Sequence, residues 1–69
     1  MMEDDDIGEW FARLTACLED ATELAIAGQN QRLSLNERKA LLAEIQHHLA
    51  VAHRVTGQLK QMMQDTGAS

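Results

Sequence analysis

The chain has 69 residues, a mass of 7.7 kDa and a formal net charge of −5, with one cysteine and no proline. That length allows one domain, the single cysteine excludes an internal disulfide, and the acidic balance argues against nucleic acid, whose phosphates need a basic surface. No apolar run nears the ~18 residues of a membrane span, and the first residues are acidic rather than basic. Neither a transmembrane helix nor a secretory signal is expected, and the cytoplasm is the default compartment.

Met1 to Asp5 reads as a short, frayed acidic lead. Asp6 and Glu9 have the spacing of a capping box, in which each side chain accepts from the other's free first-turn amide. A first helix follows over about residues 7–27. Ile7, Trp10, Phe11, Leu14, Cys17, Leu18, Ala21, Leu24 and Ala25 recur along it at steps of three and four. Gly28 is the residue able to turn left-handed and end it. Residues 28–34 form a turn short enough to join antiparallel neighbours. Ser34 and Glu37 make a second capping box, opening a helix over about residues 35–63. Its apolar stripe is Leu35, Leu41, Leu42, Ile45, Leu49, Ala52, Val55, Leu59, Met62 and Met63. Gly57 is the soft point of this helix, and residues 65–69 are expected to be disordered.

The predicted fold is all-α, an antiparallel two-helix hairpin. Each stripe is wider than one neighbouring helix can cover. The core is therefore expected to be completed by self-association or by a partner chain, the route open to a chain this small without disulfide or metal. The second helix is the longer, so its end, with Leu59, Met62 and Met63, is expected either to pass beyond the first helix and meet a partner or to close over Ile7 and Trp10. Charge divides with the helices. Residues 1–27 hold eight acids against Arg13, giving −7, and residues 28–69 hold five bases against three acids, giving +2.

Catalytic patterns are not found, and no catalytic residue, cofactor or metal ligand is assigned. Glu44 and His47 have the Glu-x-x-His spacing of di-iron carboxylate bundles. At about 100° per residue, however, Glu44 sits about 100° and His47 about 160° from Ile45, both away from the core. His47, His48 and His53 share no spacing of four, so no pair is set for zinc. His48 falls at the edge of the stripe one turn after Glu44, which suggests a surface pair. Cys17 has no neighbouring base to make it a thiolate and reads as a small core residue. Trp10 is either core or an interface anchor. An amphipathic membrane helix is disfavoured because the polar face of the first helix is acidic.

The stretches Leu14-Thr-Ala-Cys-Leu-Glu-Asp-Ala-Thr-Glu-Leu-Ala-Ile-Ala-Gly28 and Leu41-Leu-Ala-Glu-Ile-Gln-His-His-Leu-Ala-Val-Ala-His-Arg-Val-Thr-Gly-Gln-Leu59 resemble the small needle-protein co-chaperones of bacterial type III secretion systems. The likeness covers roughly residues 10–63. It implies a non-enzymatic hairpin that binds a second chaperone built of tetratricopeptide-like helices. That pair keeps the needle subunit soluble and unpolymerised in the cytoplasm. The face the resemblance assigns to partner contact is drawn from Leu14, Leu18, Leu24, Ile45, Leu49, Ala52, Val55 and Leu59. Trp10 and Met62 join it as a candidate anchor and as the adaptable end of the second helix. The alternative reading of the same stripes is a structural or regulatory hairpin that forms a homodimeric four-helix bundle.

Overall fold

The computed structural model describes residues 4–66, with side chains described for 6–64, and shows two helices, α1 (Asp4–Gly28) and α2 (Leu35–Thr66). They pack antiparallel along their lengths in a rod of 54 × 16 × 13 Å. The fold is the all-α hairpin that the two periodic stripes predict.

The contact between the helices is a seam with alternating steps of three and four. In α1 the least exposed positions are Ile7, Trp10, Leu14, Cys17, Ala21, Leu24 and Gly28. In α2 they include Leu41, Ile45, His48, Ala52, Val55, Leu59 and Met62. Ala21, Ala52, Val55, Leu59 and Met62 are buried, at 3–8% exposure. The register is set where Gly28 faces Leu41: a Cβ added to Gly28 would lie 3.9 Å from Leu41 Cδ1. Carried along both series, that pairing opposes Leu24 to Ile45, Ala21 to His48, Leu14 to Val55, Trp10 to Leu59 and Ile7 to Met62. Burial is deepest toward the open end, where large residues meet. Near the middle, His48 is matched by the small side chain of Ala21.

The ends of the helices show which local expectations hold. At the start of α2 the capping box is formed: Ser34 N–H donates to Glu37 Oε1 at 2.8 Å, and Glu37 N–H donates to Ser34 Oγ at 3.1 Å. Asp6, by contrast, lies inside the first turn of α1, because the helix starts at Asp4. Its carboxylate favours the positive end of the helix dipole without acting as a cap. Gly28 ends α1 with no positive φ among the described residues. The chain instead tightens, with Gln29 N–H donating to Ile26 O at 3.0 Å and Asn30 N–H to Ala27 O at 3.2 Å. Glycine at 28 is thus not required by a left-handed turn, and a Cβ there would make only ordinary contact with Leu41.

Asn30 organises the connection. Its side-chain oxygen accepts from Arg32 N–H at 2.9 Å, and its carbonyl accepts from Leu33 N–H at 3.2 Å and Arg38 Nη2 at 2.8 Å. α2 runs unbroken through Gly57 and on to Thr66, beyond the expected end at 63. Asp65 and Thr66, expected in a disordered tail, are therefore helical, while residues 67–69 lie outside the described residues. With α1 starting at Asp4 and Ile7 facing Met62, the extra length of α2 falls at the turn, over residues 29–34, and the open end is nearly flush.

Candidate functional site

The most apolar exposed surface lies along one flank of the hairpin. The residues following seam positions Trp10, Cys17 and Leu24 are Phe11, Leu18 and Ala25. Those following Leu41, His48, Val55 and Met62 are Leu42, Leu49, Thr56 and Met63. In an antiparallel pair these two series lie on the same side of the seam. The structure shows them meeting: Phe11 and Leu14 of α1 line one groove with Thr56, Leu59, Lys60 and Met63 of α2, a volume of about 520 Å³. Leu35 continues the same series one heptad before Leu42.

Seven large apolar side chains are exposed among the described residues, and six of them stand on this flank. Phe11, Leu18, Leu35, Leu42, Leu49 and Met63 are 44–68% exposed, whereas Ile26 alone lies off it. The hydroxyl of Thr56 is satisfied within α2, donating to His53 O at 2.8 Å. Thr15, bordering Phe11, likewise donates to Phe11 O at 3.0 Å. The donor of each hydroxyl is thus satisfied within its own helix.

The opposite flank is different in kind. The residues preceding seam positions there are Arg13, Asp20 and Ala27 on α1 and Glu44, Val51 and Gln58 on α2. Asp20, Glu23, Leu24, Glu44 and His48 line a shallow cleft of about 220 Å³. Nearer the open end, the Arg13 guanidinium lies 4.6 Å from the Trp10 ring centroid and 3.6 Å from Glu9. Trp10 is thus half-buried in the seam and covered by a cation on its outer side.

This division separates the ten residues expected to meet a partner. Ala52, Val55, Leu59 and Met62 are buried against α1, and Trp10, Leu14, Leu24 and Ile45 are half-buried in the same seam. Leu18, at 44%, and Leu49, at 49%, are open to another molecule. Phe11, Leu35, Leu42 and Met63 join them, although the expected set left them out. A signal for them was present: Phe11, Leu42 and Met63 each follow a seam residue, and Leu35 lies one heptad before Leu42. Met62 and Met63 divide between the two roles weighed for them, the first in the seam and the second on the flank.

Chemistry of other kinds finds little support in the geometry. Glu44 and His47 are exposed, and no group of three metal-ligating side chains comes together among the described residues. Among the described residues Glu9 pairs with Arg13, and the expected pair of Glu44 with His48 is not formed. His48 instead occupies a seam position, with its ring 5.8 Å from that of His47. Cys17 is half-buried in the seam as a free thiol. The one resolved shift in acidity is at Glu37, held below its ordinary value of 4.5 by the backbone amide and then the hydroxyl of Ser34. No helix of the described residues is long and apolar enough to cross a membrane. The chain matches no protein-family model, no curated protein and no solved structure.

Proposed function

We propose that this chain is a non-enzymatic binding module whose apolar flank lies against a helical surface of another protein. The observation that carries the reading is the division of each wide stripe: one part closes the hairpin and the other is left open along nearly its whole length. A flank of this shape suits helix-on-helix recognition, in which side chains at a seven-residue repeat fill the grooves of a facing helix. The biological form we infer, from the resemblance in sequence, is a cytoplasmic co-chaperone of a type III secretion needle subunit. The hairpin docks on a second, helical-repeat chaperone, and the complex covers the apolar helix through which needle subunits polymerise.

Co-purification tests this directly. The tagged chain is co-expressed with a helical-repeat chaperone and a needle subunit encoded in the same genome. The wild type is expected to retain both, and Leu49→Asp or Leu18→Asp to lose them while keeping wild-type helicity by circular dichroism. Gln58→Asp, on the opposite flank, is expected to bind normally. Undiminished capture by Leu49→Asp would remove the flank as the binding surface.

A further inference from the structure

We propose that the open flank is self-complementary and pairs two copies of this chain into a four-helix bundle, with the twofold axis parallel to the helices. This deepens the functional reading by naming what covers the binding surface when no other protein does. It rests on that reading in treating the flank as a binding surface.

Three observations lead to a second copy. The first is extent. Six side chains, each about half exposed, leave on the order of 600 Å² of apolar surface per copy, so pairing removes about 1,200 Å² in total, the lower bound for a specific interface. The second is shape. Both helices carry the flank at the same seven-residue repeat, Phe11 and Leu18 on α1 and Leu35, Leu42, Leu49 and Met63 on α2. A surface with the same repeat on both helices can be its own partner, as a twofold interface requires.

The third observation is charge, and it selects the axis. Along the flank and its border, α2 carries Lys39 and Lys60 and no acid, while the described side chains of α1 there, Phe11, Thr15, Leu18, Thr22 and Ala25, carry no charge. A twofold axis parallel to the helices sets α1 of one copy over α2 of the other, so each lysine-bearing edge meets an uncharged one and the lysines of the two copies stay apart. Every adjacent pair in the resulting bundle is antiparallel. The other twofold arrangement stacks α1 on α1 and α2 on α2, which brings like charges together.

Sedimentation velocity of the full chain, at rising micromolar concentration, tests the pairing. The expected result is a dimer of the 7.7 kDa chain. Its dissociation constant should rise at least about tenfold in Leu49→Asp and in Leu42→Asp, and not in Gln58→Asp. Circular dichroism establishes that each variant is still helical. The axis is read from a nitroxide at position 64 (Gln64→Cys in a Cys17→Ala background). Parallel copies place the two labels within about 25 Å, the width of a four-helix bundle, whereas the other arrangement puts them at opposite ends of a 54 Å rod. A monomeric wild type, or flank variants that dimerise as the wild type does, would overturn the proposal, and so would labels at opposite ends. A monomer that still captures the helical-repeat chaperone refutes self-pairing and leaves the functional reading standing. A dimer that captures neither protein does the reverse.

Discussion

Leu49 and Leu59 are the same residue type on the same helix, yet they do different work. Leu59 is 3% exposed and sits against α1, and Leu49 is 49% exposed on the flank. Truncating Leu59 to alanine is expected to cost about 2–3 kcal/mol of folding stability, as for other buried leucines. Leu49→Ala should cost well under about 1 kcal/mol in the isolated hairpin. Chemical denaturation of the two variants checks the difference. Ser34 and Glu37 are the residues whose local role was fully legible, because a capping box depends on neighbours in sequence alone. Ser34→Ala should lower stability by about 1 kcal/mol. The acidity of Glu37 is increased in the folded chain, so its contribution is present above its ordinary value of 4.5 and is lost as pH falls through the lower folded value. The melting temperature of Glu37→Gln should therefore lie below that of the wild type at neutral pH and meet it in acid. A gap unchanged by acid would mean that the carboxylate does not strengthen the cap.

At the scale of the helix, the stripes announced two amphipathic elements, and both form with little adjustment. What local reasoning misplaced were the ends. Asp6 had the spacing of a cap, but three consecutive aspartates let α1 begin at Asp4 and take that residue into its first turn. Gly28 had the position of a left-handed stop, yet the helix ends there without a positive φ, and the chain tightens into the turn instead. Asn30 was unremarked in the sequence because its four hydrogen bonds depend on the path of the turn. Gly57 neither ends nor interrupts α2. Its surroundings have room for a methyl group, so Gly57→Ala should raise the stability of the isolated hairpin by about 1 kcal/mol. A thermal melt at a concentration low enough to suppress association is the appropriate measurement.

At the scale of the molecule, a two-helix rod has one seam and two flanks, and the flanks here are unlike. One carries six large apolar residues, and the other carries Arg13, Asp20 and Glu44. On the reading proposed above, this asymmetry would direct association to the flank that carries the large apolar side chains. It also predicts that stability should depend on protein concentration in the wild type. The melting temperature should rise on concentrating the wild type and hold steady in Leu49→Asp, since self-pairing adds stability by mass action.

The sequence by itself determined the two helices, the cap at Ser34, the separation of charge between the halves and an apolar surface too wide for a hairpin to bury. Each of these follows from local periodicity, neighbouring side chains or composition. Only the tertiary structure decided how that surface was divided. Trp10 and Phe11, Val55 and Thr56, Met62 and Met63 are adjacent in sequence and separated by about 100° around the helix. Both members of such a pair can belong to one broad stripe. Which of them turns inward depends on how the two helices are set against each other, a setting seen where Leu41 lies beside Gly28 and repeated every seven residues along the rod. His48 enters the seam for the same reason: its position is on the contact line, and the small Ala21 opposite leaves it room.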